Sequence, residues 1–227
     1  MFLSKQNTIK WNLLFYAFCA VVMLILSGVF FYDVDLFVFL RRFDYKIWKY
    51  IGYIFDAKIW LIVFAILTIL VYSYKTIKSR NEPTTQVRWF RLRAILKDFF
   101  VKVKTNNSFF VLIAVLVSSI VTFVLKFFIG RYRPIFFEEF GIVGFHPCIH
   151  EWAFNSMPSG HSAASFAGLV MIGMLVGGKI KWLTWTLAVV IGLSRIMIGA
   201  HWPSDVLLGA FIGMVSADFV LAYFRKK

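Results

Sequence analysis

The sequence predicts an all-α membrane protein whose chain crosses the bilayer six times. Hydrophobic residues make up 60% of the 227 residues, and 27 residues are phenylalanine. A soluble domain of this length could not bury so much apolar surface. The apolar residues also fall into runs of about 20, the length that an α-helix needs to cross the hydrocarbon layer. The cationic residues are concentrated on one side of these runs, as in polytopic membrane proteins.

Six apolar runs define the predicted membrane spans. They cover residues 12–31, 58–74, 107–127, 162–178, 182–200 and 205–224. The first run follows Lys5 and Lys10, as the apolar region of a signal peptide would. It is long for such a region, however, and no small-x-small cleavage pattern follows it, so we expect a retained anchor. We expect residues 1–227 to form a single integral-membrane domain.

The distribution of positive charge predicts the orientation of the chain. The formal net charge is +14, with 25 Lys and Arg against 11 Asp and Glu. With a cytoplasmic N-terminus, 16 of the 25 cationic residues lie in inner segments and seven in outer segments. The positive-inside rule therefore places both termini in the cytoplasm. Since the charge is explained by topology, we expect no nucleic-acid partner.

The loop between the second and third runs is the most basic part of the chain. It holds nine of the cationic residues, from Lys75 to Lys104. Apolar residues recur there at helical spacing: Trp89, Leu92, Leu96, Phe99 and Val103. This pattern predicts a basic amphipathic helix, within about 75–104, that lies on the anionic inner leaflet. An anchoring role is favoured over a regulatory one.

Cysteine and histidine spacing indicates neither a disulfide framework nor a metal site. Cys19 lies in the first run and Cys148 in an outer loop, so the two are not expected to meet. The stretch HPCIH, residues 146–150, alternates His, Cys and His, but this spacing fits no standard zinc pattern. We expect no metal and no cofactor.

Two cationic residues interrupt apolar runs, where a charge is costly and marks a candidate functional position. Lys126 lies near the end of the third run, so its amine could instead extend to the headgroups. Arg195 lies within the fifth run, and its guanidinium cannot lose its charge. In the six-span topology the third and fifth runs end outside, where the fourth and sixth begin. Three separated segments, 126–133, 159–161 and 195–205, therefore place their unusual residues at one membrane face.

A phosphate at that face would meet a ready anion site. Lys126, Arg133 and Arg195 supply positive charge, and an arginine can bind two oxygens at once. Ser159 is placed to cap the fourth helix, so that the N–H groups at the start of that helix point at the anion. Gly160 lets a ligand approach the backbone closely.

Histidines on two segments supply candidate catalytic groups. His161 follows the predicted cap, and His201 stands just before the sixth run, with Asp205 one helical turn later. A carboxylate at that offset can accept a bond from one imidazole nitrogen and leave the other free to attack. Two histidines facing one phosphate suggest one nucleophile and one general acid.

These residues resemble the signature of the type 2 phosphatidic acid phosphatase superfamily, a family of membrane lipid phosphatases. Its three parts are Lys-x6-Arg-Pro, then Pro-Ser-Gly-His, then Ser-Arg-x5-His-x3-Asp. Here they read KFFIGRYRP (126–134), PSGH (158–161) and SRIMIGAHWPSD (194–205), with every fixed position filled. Before residue 126, only the general six-span layout matches.

The resemblance implies a metal-independent phosphatase. His201 would attack phosphorus to give a phosphohistidine, Asp205 would orient it, and His161 would protonate the leaving oxygen. The remaining signature residues would hold the phosphoryl oxygens: Lys126, Arg133, Ser159, Gly160 and Arg195. Arg131 is assigned to headgroup contact. The six spans argue against the soluble haloperoxidase branch of the family, which uses vanadate.

The resemblance also implies a lipid substrate, and the compact form of the chain suggests a bacterial enzyme. We expect an inner-membrane protein whose active site faces the periplasm or exterior. Lipid A 1-phosphate and undecaprenyl pyrophosphate are the leading substrates, followed by phosphatidylglycerol phosphate and phosphatidic acid. No obligate protein partner is expected.

Two alternatives remain open at this point. A lipid phosphotransferase would use the same intermediate and differ only in its acceptor. A non-catalytic lipid-binding or transport protein would use the basic residues as a headgroup site, but binding alone does not require His161, His201 and Asp205.

Overall fold

The structure is a computed structural model that describes residues 1–4, 6–80, 105–149 and 151–225. The described residues are nearly all helical, and their extended pairing is limited to isolated bridges. Their α-helices are α1 (Trp11–Ser27), α2 (Asp33–Arg41), α3 (Lys46–Ile54), α4 (Ala57–Arg80), α5 (Asn107–Ile129), α6 (Pro134–Phe140), α7 (Gly160–Val176), α8 (Gly178–Met197) and α9 (Pro203–Arg225). A π-helical turn, Gly28–Tyr32, joins α1 to α2. The all-α prediction is confirmed for this part of the chain.

Among the described residues, five helical segments are long and apolar enough to cross a membrane. They are Trp11–Arg41, Lys46–Lys78, Asn107–Ile129, Gly178–Met197 and Pro203–Arg225. Helix α7 is apolar but has 17 residues. The predicted runs overlap these six elements, and the first two elements extend further because α2 and α3 adjoin them.

The predicted amphipathic helix at about 75–104 falls mostly outside the described residues. Residues 75–80 continue α4, and the description resumes at residue 105. The membrane-surface role of this segment therefore stays a prediction.

Helix α7 lies at the centre of the bundle, where it packs against α5, α8 and α9. Glycines on α9 allow an unusually close approach to α7. A Cβ atom at Gly209 would overlap the backbone oxygen of Ser159, and one at Gly213 would overlap that of Ala163. Small residues at membrane helix contacts allow backbones to approach in this way. The start of α7 is thereby held against the start of α9.

The outer surface of the bundle is apolar. Phe31 and Tyr223, for example, are each 80% exposed. Such exposure would be unusual over a large surface of a soluble monomer, but it is expected where hydrocarbon replaces water.

The two ends of α5 are set by local signals. The Asn106 side chain accepts a hydrogen bond from the Ser108 N–H at 2.9 Å and caps the first turn. Gly130 ends the helix in the left-handed region with φ of 58°, and a Cβ atom there would overlap the His146 backbone. The chain can therefore turn sharply after Lys126 and bring the next cationic residues back beside it.

Candidate active site

A cavity of about 450 Å³ lies where the ends of α5 and α8 meet the starts of α6, α7 and α9. Six of the eight predicted site residues line it: Lys126, Arg133, Gly160, His161, Arg195 and His201. The other two, Ser159 and Asp205, are fully buried and do not line the cavity.

The cavity is built to hold an anion. Arg195 has a buried Nε with no hydrogen-bond partner among the residues that the structure describes. A buried unpaired N–H is costly, and an anion oxygen in the cavity would satisfy it. The first N–H groups of α7 lack acceptors within their own helix. A Cβ atom at Gly160 would meet only the Thr122 methyl group, at 3.9 Å, so the open space reaches the backbone there.

The loop before α7 positions the other cations through backbone carbonyl groups. The Lys126 ammonium donates to the carbonyl oxygen of Asn155. Arg133 donates to the carbonyl oxygens of Trp152 and Asn155 at 3.0 and 3.3 Å, and its guanidinium lies 4.6 Å from the centre of the Trp152 ring. Sequence reasoning missed this role of the loop because every residue carries a carbonyl group.

Ser159 caps α7. Its hydroxyl oxygen lies 3.4 Å from the Ser162 N–H and 2.9 Å from the Ser162 hydroxyl, and its own N–H donates to the Asp205 carbonyl at 2.9 Å. Because this hydroxyl is fully buried and already bonded, we assign Ser159 to capping and not to direct contact with a phosphoryl oxygen.

His201 is held by a backbone carbonyl group. Its Nδ1 lies 2.8 Å from the Ser156 carbonyl oxygen and 3.8 Å from Oδ2 of Asp205. A carbonyl oxygen only accepts, so Nδ1 carries the hydrogen and Nε2 keeps its lone pair. Burial, together with the positive charges of Arg133 and Lys126, holds the pKa of His201 well below its usual value. The imidazole is therefore neutral at neutral pH.

The direct bond predicted between Asp205 and His201 is replaced by an indirect link. Asp205 accepts from the Ser156 hydroxyl at 2.5 Å and from the Trp202 N–H at 2.9 Å. It therefore fixes the residue whose carbonyl group holds His201. Ser156, in the loop before α7, thus contacts both the carboxylate and the imidazole.

The assignment of Arg131 to headgroup contact is wrong. Arg131 is only 5% exposed and lies in a buried ion-pair network. Its two terminal nitrogens donate to Asp205 and to Asp33, each at 2.8 Å. Asp33 also accepts from the N–H and the hydroxyl of Ser204, at 3.0 and 2.5 Å. The network ties α2 to the start of α9.

Asp33 was not predicted as a site residue, although the sequence carried a signal for it. It stands in the apolar stretch FFYDVDLFVF, and a carboxylate inside such a stretch is a functional candidate by default. It directly follows the π-helical turn, a feature that is frequent at functional sites.

Gly52 on α3 was also missed, and it determines where Arg195 lies. A Cβ atom at Gly52 would overlap the Arg195 guanidinium. The overlapping atom is the end of a flexible side chain, so an added methyl group would displace the guanidinium and leave the helices in place.

We therefore expect Gly52→Ala to lower turnover by about 10²-fold, the usual effect of an ångström-scale misplacement. The melting temperature should stay the same or rise, because alanine favours a helix interior over glycine. Turnover and thermal melting in detergent check this. In an Arg195→Lys background the same change should have little further effect, and an equal loss in both backgrounds would contradict the assignment.

The family model of the PAP2 superfamily matches residues 107–227. The chain belongs to the PAP2 superfamily. The match covers α5 to α9 and therefore includes every predicted site residue of this PAP2 chain. Asp33 and Gly52 lie before it.

Curated relatives and one solved structure are similar to this PAP2 chain. A lipid A 1-phosphatase from Rhizobium etli is 37% identical over 112 residues, 49% of this chain and 48% of that protein. The probable lipid phosphate phosphatase 4 from Arabidopsis thaliana is 33% identical over 137 residues, 48% of this chain and 44% of that protein. The chain thus spans about half the length of these relatives. The crystal structure of Aquifex aeolicus LpxE matches with a TM-score of 0.47 and 22% identity, covering 83% of this chain and 93% of that one.

Proposed function

We propose that this PAP2 chain is a metal-independent phosphatase that removes phosphate from a membrane lipid through a phosphohistidine at His201. The observation that carries the proposal is the set of side chains that line one cavity. A neutral, buried imidazole there faces the same space as three cations, a second histidine and the start of a helix. Binding alone requires the cations but not a nucleophile with a fixed tautomer.

In the first step, Nε2 of His201 attacks phosphorus and the bond from phosphorus to the lipid oxygen breaks. The leaving oxygen takes a proton from His161. Lys126, Arg133 and Arg195 stabilise the negative charge on the phosphoryl oxygens in the transition state. The first N–H groups of α7 add to this stabilisation.

In the second step, water attacks the phosphohistidine and the P–N bond breaks. His161, now neutral, accepts the proton that the water loses, so it returns to its starting state. His201 regains its lone pair, and inorganic phosphate leaves.

The proposed substrate is lipid A 1-phosphate, with undecaprenyl pyrophosphate next, then phosphatidylglycerol phosphate and phosphatidic acid. Similarity to a protein named lipid A 1-phosphatase supports the choice of lipid A 1-phosphate as the first substrate to test. We place the chain in a bacterial inner membrane with six spans and both termini in the cytoplasm. The site then lies at the outer face, and the lipid tail stays in the bilayer while its phosphate enters the cavity.

A panel of lipid phosphates tests the proposal. The full-length protein in detergent is expected to release phosphate fastest from lipid A 1-phosphate, and EDTA should leave the rate unchanged. If the protein released phosphate from no member of the panel, the proposal would be contradicted. An activity that EDTA removes and a divalent metal restores would also contradict it. Labelled phosphate recovered on a second lipid would identify a phosphotransferase instead.

A further inference from the structure

We propose that Asp56 is a positioning residue for the general acid His161. Oδ2 of Asp56 lies 3.1 Å from Nε2 of His161. Asp56 stands between α3 and α4, outside residues 107–227 and outside the three-part signature. The inference rests on the proposed phosphatase activity and explains how its acid is held.

The two carboxylate oxygens of Asp56 have different partners. Oδ1 accepts the Lys58 N–H at 2.8 Å, and the Asp56 carbonyl accepts the Trp60 N–H at 3.1 Å, so Asp56 caps α4. This cap fixes the orientation of the carboxylate and leaves Oδ2 free for His161. A residue that only capped the helix would not need its second oxygen.

Packing between α4 and α7 keeps the pair together. Trp60 is 7% exposed, and a Cβ atom at Gly168 of α7 would lie 2.6 Å from its ring. The first turn of α4 therefore packs against α7, the helix whose first turn carries His161. The position of Asp56 beside His161 follows from this contact.

The Asp56 carboxylate also has a chemical role, which is to stabilise the protonated form of His161. A general acid must be protonated before the transfer, but Lys126 and Arg195 line the same cavity and repel that proton. The negative charge of Asp56 offsets this repulsion. Because Asp56 accepts the Nε2 hydrogen, the transferred proton comes from Nδ1, which later accepts the proton from water.

Substrate pairs with different leaving groups test the role. Two phosphomonoesters with the same lipid tail are compared, one with an alkyl alcohol leaving group and one with a nitrophenol, which leaves without a proton. Asp56→Asn keeps a capping side chain but removes the charge. We expect it to lower kcat/KM for the alkyl ester by about 10²-fold, within the usual range for general acid catalysis. The kcat/KM for the nitrophenyl ester should fall less than about threefold, since kcat/KM excludes the later attack by water and this leaving group departs without a proton.

Further variants and a double mutant refine the comparison. Asp56→Ser, which caps α4 but cannot reach His161, should behave like Asp56→Asn, and Asp56→Glu should restore part of the alkyl activity. Glu139→Gln removes an exposed carboxylate elsewhere in the chain, and it should leave the activity toward both esters unchanged. In a His161→Asn background, Asp56→Asn should cause no further loss.

Equal losses on both esters, or full additivity with His161→Asn, would overturn the assignment and leave Asp56 as a helix cap only. Turnover of the nitrophenyl ester reports an intact nucleophile in every Asp56 variant. A failure of this inference is therefore distinct from a failure of the phosphatase proposal, in which even the parent would release no phosphate.

Discussion

His201→Ala is expected to lower phosphate release from lipid phosphates by on the order of 10⁴-fold or more, because the variant has no group that can form the covalent intermediate. The Ser156 carbonyl group fixes the tautomer of His201, and burial keeps the ring neutral. Both effects leave Nε2 with a lone pair that can attack phosphorus. Initial rates in detergent, with the substrate that the parent cleaves fastest, measure the effect.

His146→Ala is the matched control for that loss. His146 is an exposed histidine whose ring packs against Phe154, 5.2 Å away between ring centres. Its removal should leave turnover within about twofold, as expected for a surface change away from the site. Comparable turnover in His201→Ala and the parent would remove the nucleophile assignment.

Arg131→Gln is expected to destabilise the protein by about 3–5 kcal/mol and to abolish most of its activity. The change leaves Asp33 and Asp205 buried without their shared cation, and a buried pair that loses one partner has a cost of this size. Activity falls because Asp205 fixes Ser156, whose carbonyl group holds His201. Denaturant unfolding and phosphate release measure the two effects.

Two comparisons distinguish loss of the Arg131 ion pairs from a general loss of positive charge. Arg42→Gln removes an exposed arginine that follows α2 and should have little effect. Adding Asp33→Asn to Arg131→Gln should recover part of the lost stability, because one uncompensated charge is removed. A stability of Arg131→Gln within about 1 kcal/mol of the parent would show that the network is not needed for folding.

The helices of this protein were readily predicted because apolar runs of membrane length have few alternatives. The end of α5 and the start of α7 were placed within about two residues, since Gly130 and Ser159 carry local stop and start signals. The short helices α2 and α3 were missed. They adjoin longer apolar segments, and the sequence pattern does not mark them as separate helices.

The candidate site was predicted in part. Lys126, His161, Arg195 and His201 stood out because charge and imidazole are rare in or beside apolar runs. Gly52 and Asp56 carry no such signal: a glycine matters only where another side chain passes it, and a lone aspartate before a helix predicts a cap. Their roles depend on tertiary contacts, which spacing along the chain does not encode.

The most direct test of the account is to trap the phosphoenzyme. The protein is denatured in alkaline detergent during turnover of a substrate labelled in its scissile phosphate, and the labelled peptide is identified. We expect an acid-labile, alkali-stable phosphoramidate on His201 that is absent from His201→Ala. Label on another residue, or continued turnover of the parent with no label on His201, would contradict it.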